Sequence, residues 1–231
     1  MKNIDIHIST RMKMVIDCVS ACDTVYDIGT DHGYIPIYLV SKGICRTAVA
    51  TDVKIMPVKR ALHNAALFGV GEKMNVFQSD GISHVKDGAC IIISGMGAYV
   101  IIDMLKKEID IAKRSSLLIM QCQHMTELLR AYLWDNGFEI YLEKLCLEDN
   151  KIYNVICASY TGNSVKYSIK DTIASKYLTA EKDPLLGSYI KPYLKKLNDR
   201  IEGLKSSQRS CCDLEDLKKE LEDINEKKQN I

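Results

Sequence analysis

The apolar positions along the first 160 residues change period repeatedly. Met12, Val15, Ile16 and Val19 recur at helical spacing, and Ser9 or Thr10 can cap the first turn, which predicts a helix through about Cys22. Residues 24–28, Thr-Val-Tyr-Asp-Ile, form a short β-rich run that ends in a glycine-containing turn. Residues 34–41 then read as a helix, with Pro36 near its start, where a missing N–H does no harm. The alternation continues with a strand at 48–52 and a helix at 57–68, its Val58, Ala61, Leu62 and Ala65 on one face and Gly69 closing it. Strands are expected at 75–78, 90–93 and 117–121, and helices at 100–107 and 126–136, the last closed by Gly137. Two longer runs, 138–147 and 153–160, flank Glu148-Asp149-Asn150-Lys151, which reads as a hairpin turn. Five strands separated by helices imply parallel β-α-β units, and a final hairpin adds an antiparallel strand at one edge. The expected architecture is therefore α/β with a seven-stranded sheet.

The pattern changes after Tyr160. Thr161-Gly162-Asn163-Ser164 reads as a linker, and residues 166–231 contain no Trp or Phe. Ile190, Leu194, Leu197, Ile201 and Leu204 follow a 4-3-4-3 spacing, and Leu214, Leu217, Leu221 and Ile224 resume it. Each run is short, so an antiparallel helical hairpin fits better than a long parallel zipper. Pro184 and Gly187 supply a break after a helix expected at 168–181. The chain thus divides into residues 1–160 and a helical segment, 161–231.

Composition adds three constraints. Hydrophobic residues are 47% of the 231 but aromatics only 7%, so the core must be mostly aliphatic, as a buried parallel sheet is. Net charge is +1, with −1 before Thr161 and +2 after it, so any polyanion must be met by a local patch. The nine cysteines include no Cys-x-x-Cys pair: Cys211 and Cys212 are adjacent, and Cys18 and Cys22 lie one helical turn apart. They do not make a zinc set, and reduced, buried thiols in a cytoplasmic protein are expected, with no metal. The N-terminal residues lack an apolar leader, and the apolar stretch from Ala89 to Leu105 is broken by Gly95, Gly97 and Asp103, so no membrane span is expected. A monomer is the expected state.

The chemistry centres on Asp27-x-Gly29-x-Asp31-x-Gly33, between a strand and a helix. Glycines let a ligand approach the backbone, and the following helix offers free N–H groups. Asp52 ends the next strand and can accept both hydroxyls of a ribose. Asp80, in Ser79-Asp80-Gly81, follows the third strand, where it can meet the exocyclic amine of adenine. One acid alone is more often a turn or cap residue. Three acids at successive strand ends, on the side where such sheets bind ligands, are harder to dismiss. The spacing departs from Gly-x-Gly-x-x-Gly, and Asp31 would repel a pyrophosphate. S-adenosylmethionine has no phosphate and carries a sulfonium cation, so an acidic pocket suits it.

The order Asp27-Ile28-Gly29-Thr30-Asp31-His32-Gly33-Tyr34-Ile35-Pro36, Ser79-Asp80-Gly81, Ile93-Ser94-Gly95-Met96-Gly97 and Glu148-Asp149-x-Lys151-x-Tyr153, with Leu129-Arg130-x-x-Leu133 and Asn136-Gly137-Phe138, resembles the bacterial tRNA (adenine-N1) methyltransferase family that modifies adenine 22 in the D-arm. The resemblance covers about residues 11–160. It implies a Rossmann-like methyltransferase domain followed by a C-terminal α-helical coiled-coil domain, S-adenosyl-L-methionine as donor and N1 of a tRNA adenine as acceptor. Residues 27, 29–32, 34, 52, 53, 80, 81, 95 and 96 are the expected cofactor set: Asp27, Gly29, Thr30, Asp31, His32, Tyr34, Asp52, Val53, Asp80, Gly81, Gly95 and Met96. Asp31 is also the catalytic candidate, through a hydrogen bond from the adenine N6 amine; the competing reading is a cofactor contact or helix cap. Gln121 and His124 are candidates for the acceptor mouth, and Tyr34 and Tyr99 for base stacking. Three departures from the family stand out: Asp52 where Glu is expected, Ala98 in place of a further glycine, and Gln121-Cys122-Gln123 in place of a Gln-Pro turn. For RNA contact the basic candidates are Arg11, Lys13, Lys54, Lys59 and Arg60, and Lys191, Lys195, Lys196 and Arg200. The alternatives are a methyltransferase with another acceptor, a nicotinamide-dependent oxidoreductase, which Asp31 opposes, and a non-catalytic tRNA-binding protein on the same fold.

Overall fold

The computed structural model describes residues 6–180, 183–207 and 209–226. The elements run α1 (Thr10–Ile16), β1 (Cys22–Ile28), α2 (Tyr34–Ser41), β2 (Cys45–Asp52), α3 (Ile55–Leu67), β3 (Met74–Gln78), β4 (Cys90–Met96), α4 (Ala98–Lys107), α5 (Ile109–Arg114), β5 (Leu117–Cys122) and α6 (Thr126–Asp135). The hairpin β6 (Phe138–Glu148) and β7 (Lys151–Tyr160) follows, then α7 (Ile169–Ile173), α8 (Lys176–Ala180), α9 (Leu186–Ser206) and α10 (Cys212–Glu226). All seven strands form one sheet in the order β3-β2-β1-β4-β5-β7-β6. The first five are parallel, and β7 runs antiparallel between β5 and β6. This is the Rossmann-like α/β plan. Its strand order reverses between β1 and β4, so ligands are expected at the carboxyl ends there.

The sheet is buried on both faces. Ile91 and Ile93 of β4 join Leu118 and Met120 on the side of α4 and α6, whereas Ile92 joins Val25 and Ile119 under α1 and α2. A strand with two buried faces has no polar side to show, which is why Cys90–Ile93 is continuously apolar. The hairpin turn has two residues, Asp149 and Asn150, at φ 49° and 58°. Asn and Asp tolerate this left-handed region, and a two-residue turn of that hand matches the strand twist.

Several expectations need correcting. The first helix stops at Ile16, because β1 starts at Cys22 to pair with Cys45. Cys18 and Cys22 therefore do not share a helix. The thiols are free but not all buried: Cys22 and Cys211 are partly exposed and Cys212 is exposed. Ser9 is the α1 cap, accepting from the Met12 N–H. The helix expected at 168–181 is two short helices broken at Ala174–Ser175; residues 181 and 182 lie outside the described residues. The break has a cause. Arg130, with no exposed surface, draws the carbonyls of Thr172 and Ile173, and the Ser175 hydroxyl donates to Glu143. Gly187 lies inside α9 rather than in a break, where a Cβ would fall 2.6 Å from Asn225 Oδ1.

That approach, with Lys205 Nζ 2.6 Å from Glu215 Oε1 at the other end, makes α9 and α10 an antiparallel pair. Ile190 and Leu221 are buried between them, flanked by Leu194, Leu197, Leu217 and Ile224. Leu145 and Ile152 of the β6–β7 hairpin belong to the same cluster, so the helices pack on the sheet. Arg130 reinforces the junction through Glu143 of β6 and Tyr189 Oη of α9 at 3.0 Å. Among the described residues no helix is long and apolar enough to cross a membrane.

Candidate active site

The β1–α2 turn carries the site. Gly29 and Thr30 donate backbone N–H groups to the Thr51 carbonyl of β2 at 2.8 and 2.9 Å, which ties the turn to the neighbouring strand end. Gly29 has φ 76°, and a Cβ there would sit 2.1 Å from Cε of Met96. Only glycine satisfies both conditions. Asp31 stands at φ 47°, a left-handed position an aspartate tolerates but rarely takes.

A cleft of about 300 Å³ opens over this turn, lined by Arg11, Met12, Asp27, Gly29, Thr30, Asp31, His32, Tyr34, Ile35, Ser94 and Gly95. Asp27 lies at its foot, 3% exposed, with its carboxylate accepting from Thr30 Oγ1 at 2.5 Å. Burial raises its pKa to about 6; the Thr30 hydrogen bond opposes the shift and the nearby charge of Asp52 adds to it. Asp31 is on the exposed rim. Arg60 Nη2 donates to it at 2.6 Å and His32 Nε2 lies 3.6 Å away. The His32 ring stacks on Tyr34, centroids 5.4 Å apart.

The far wall is built from three distant segments. Arg11 donates its backbone N–H to Glu148 Oε2 at 2.7 Å, and its Nη1 donates to Gln121 Oε1 at 3.3 Å. Gln121, with no exposed surface, also accepts from the Gly95 N–H at 3.2 Å. Arg11 Nε is buried without a hydrogen-bond partner, its nearest anion being Glu148 Oε1 at 3.5 Å. Burial pushes the Glu148 pKa up, but the Arg11 N–H and guanidinium, together with Ser9, outweigh it and hold the carboxyl below its ordinary range.

The other expected cofactor residues lie beside this cleft rather than in its lining. Asp52 ends β2, next to β1, and accepts from the Lys54 N–H at 2.9 Å. The Val53 carbonyl accepts from Gln78 Nε2, and the Asp52 carbonyl from the Ser79 N–H, so the β2 and β3 ends are joined. Val53 is exposed, as is Asp80, with Gly81 after it at φ 77°. The Met96 side chain packs on Gly29, its Cε 2.1 Å from where a Cβ would stand.

Gln121 is a buried bridge rather than a mouth residue. The His124 ring packs on Gly97, where a Cβ would lie 2.6 Å from Nε2, and faces a second cleft of about 810 Å³ between the β6–β7 hairpin and α9. Tyr99 is exposed and lines neither cleft. Of the basic candidates, Arg11 belongs to the cofactor-side cleft, Arg60 pairs with Asp31, and Lys13 pairs with Asp17. Lys191, Lys195, Lys196 and Arg200 lie exposed on one side of α9. Sequence reasoning missed the Arg11–Gln121–Glu148 assembly. Each member was singled out for something else: Arg11 as an RNA contact, Gln121 at the acceptor mouth and Glu148 in the hairpin motif. Among the described residues no three His, Cys, Asp or Glu converge as a metal site.

A switch-point cleft with an acidic foot is where a nucleotide-type cofactor is expected in such a sheet. Residues 8–156 match the methyltransferase-domain family, and the chain belongs to it. It is 27% identical over 165 residues to the tRNA (adenine(22)-N(1))-methyltransferase of Bacillus subtilis, covering 71% of this chain and 69% of that one. A candidate tRNA (m1A22) methyltransferase of Streptococcus pneumoniae is similar in structure, with a TM-score of 0.84 and 26% identity over 95% of this chain and all of that one. The same streptococcal protein in complex with S-adenosyl-L-methionine gives a TM-score of 0.83. The chain is thus a methyltransferase of Rossmann-like fold, seven strands and an appended helical segment.

Proposed function

We infer that this enzyme transfers the methyl group of S-adenosylmethionine to N1 of adenine 22 in tRNA. The observation that carries the reading is one small cleft at the strand ends whose lining brings together Asp27 at its foot and Arg11 on its wall, in a fold shared with a streptococcal structure determined in complex with that cofactor. The amino-acid part of the cofactor has an ammonium and a carboxylate. Asp27 suits the cationic end, and the Arg11 guanidinium on the cleft wall suits the anionic end. Asp52 with Val53 would take the ribose, and Asp80 with Gly81 the adenine amine. Gly29, Thr30, His32, Tyr34, Gly95 and Met96 shape the remaining walls. When bound, the cofactor supplies an electrophilic methyl group.

The acceptor N1 has an in-plane lone pair and attacks without a base once it is freed from pairing. The protein's task is alignment, and acceptance of charge from a product ring that becomes cationic. Asp31, exposed on the rim, accepts from the adenine N6 amine in this reading, exchanging its contact with Arg60. The turn Gly95-Met96-Gly97 admits the base edge. Residues 161–231 form the second unit, and its Lys191, Lys195, Lys196 and Arg200 row meets the phosphates.

Incubation with labelled cofactor and unmodified tRNA, followed by nucleoside mass mapping, tests the reading. N1-methyladenosine at position 22 is the expected product. Methylation elsewhere would replace the acceptor while keeping the enzyme class, and no transfer to tRNA would remove the substrate class.

A further inference from the structure

Thiols gather at the opposite end of the sheet from the cofactor cleft. Cys22 opens β1 and Cys45 opens β2, directly opposite each other in the parallel ladder. Their Sγ atoms are 3.2 Å apart and share a hydrogen bond. Adjacent strands run about 4.8 Å apart, within the roughly 4.4–6.8 Å Cα separation that a disulfide spans. The pair therefore lies at a strand spacing that a disulfide can bridge.

The two thiols differ in access. Cys45 is 1% exposed, whereas Cys22 is partly exposed. Cys22 also lines two surface clefts, of about 660 and 640 Å³, whose walls carry Lys73 and the Arg46–Asp23 ion pair. They differ in acidity as well. Hydrogen bonds from the Cys90 and Cys45 thiols bring Cys22 down to about 6, against the opposing effects of burial and Asp23. Burial, with the neighbouring Cys22, pushes Cys45 up to about 12. The more acidic thiol is therefore the one that solvent can reach, and it sits against a less acidic thiol that solvent cannot reach.

We propose that Cys22 and Cys45 are a reversible peroxide-modification site, with Cys22 meeting the oxidant and Cys45 resolving the product into a cross-strand disulfide. The Cys22 thiolate attacks one oxygen of hydrogen peroxide. The O–O bond breaks, and with one proton taken up the products are a sulfenic acid and water. Cys45 sulfur then attacks the Cys22 sulfur. The S–O bond breaks, and the hydroxide leaves with the Cys45 proton as a second water. One peroxide is reduced and two thiols are oxidised. Without a resolving partner an accessible thiolate proceeds to sulfinic acid, which ordinary thiols cannot reverse. With Cys45 in contact, oxidation stops at a bond that thiols reopen. The cross-link joins strands already in register and lies away from the cleft, so methyl transfer continues in the oxidised protein.

The test uses the full chain carrying Cys211→Ser and Cys212→Ser, which removes the exposed pair at the start of α10. It is treated with a stoichiometric amount of hydrogen peroxide, alkylated and digested without reduction. A peptide linking Cys22 to Cys45, absent after dithiothreitol, is expected, with methyl transfer retained. Recovery of Cys22 as sulfinic acid, recovery of both thiols alkylated, or a link from Cys22 to Cys90 overturns the assignment. In a Cys45→Ala variant whose thermal melt confirms folding, Cys22 is expected to accumulate as a sulfenic acid that dimedone traps; no adduct there also overturns it. Should Cys45→Ala fail to fold, the mapping on the chain that keeps Cys45 decides alone.

Discussion

Replacing Arg130 tests how the helical segment is held to the sheet. Arg130 and Glu143 have no exposed side-chain surface. The guanidinium donates to both Glu143 oxygens, to the carbonyls of Thr172 and Ile173, and to Tyr189 Oη. Glu143 accepts further from Asn154 Nδ2 and Ser175 Oγ. In Arg130→Met the hydrophobic replacement fills much of the volume but leaves a buried carboxylate with neutral donors only. Breaking a buried pair from one side costs about 3–5 kcal/mol. The stranded carbonyls add to this, though not additively. A loss of about 4 kcal/mol is a large part of the roughly 5–15 kcal/mol that holds a domain folded.

Urea unfolding reads this directly. With a slope of about 2 kcal/mol per molar urea, the midpoint should fall by about 2 M. Amide exchange in α9 should accelerate with it, because Tyr189 loses its anchor. The double variant Arg130→Met/Glu143→Leu removes the uncompensated charge and should recover much of the loss. A single variant that costs under about 1 kcal/mol, or a double variant that costs the sum of both singles, would refute the idea that the uncompensated charge dominates.

Four further outcomes follow. Gly29→Ala combines a φ of 76° with a Cβ 2.1 Å from Met96 Cε; calorimetry should show cofactor affinity lost, and unchanged affinity would contradict the close approach. Asp27, raised to about 6 from 3.8, favours the fold when protonated, so its contribution is complete below about pH 4 and is lost as pH rises through about 6. Asp27→Asn should therefore melt higher than the parent near pH 7.5, by up to about 3 kcal/mol, with the gap closing near pH 4 and cofactor affinity reduced; a gap independent of pH counts against the burial. Asp31→Asn should keep cofactor binding and lose most turnover, and full turnover would assign Asp31 to cofactor contact or to the turn. Reversing Lys191, Lys195, Lys196 and Arg200 to Glu should weaken tRNA binding and flatten its salt dependence; an unchanged slope places the footprint elsewhere.

Most of the sheet is legible in the sequence because each strand carries a local signature. Cys90–Ile93 is apolar on both faces, and Asp149-Asn150 suits a two-residue turn. Tyr34–Ser41 is bounded by Gly33 on one side and by Lys42-Gly43 on the other. The break at Ala174–Ser175 has no such signature. Residues 168–181 have good helical spacing, and what interrupts them is a guanidinium forty residues upstream. Local pattern cannot register a hydrogen-bond demand set by tertiary contact. The same holds for Gly187, which reads as a breaker yet sits in a helix because Asn225 crowds it.

The site divides along the same line. The β1–α2 turn could be read because Asp27, Gly29 and Asp31 are consecutive in chain and in space. Arg11 could not be placed, since its partners, Gln121 and Glu148, are more than a hundred residues away. As a lone cation it looked like an RNA contact. Its fixed geometry changes that assignment. A guanidinium with Nε 3.5 Å from Glu148 Oε1, Nη1 donating to Gln121, and the Tyr153 ring centroid 5.1 Å away is not free to follow a polyanion backbone. In the proposed reading it serves one small anion, the cofactor carboxylate, from the wall of the cleft that Asp27 also lines. The departure at Gln121-Cys122-Gln123, which looked like a change on the substrate side, supplies the buried amide that joins Arg11 to the Gly95 N–H. If Arg11 serves the cofactor and Gly95 the acceptor, as proposed, one buried side chain serves both, so Gln121→Leu should weaken cofactor affinity in calorimetry and lower turnover together; loss of one alone would refute the link.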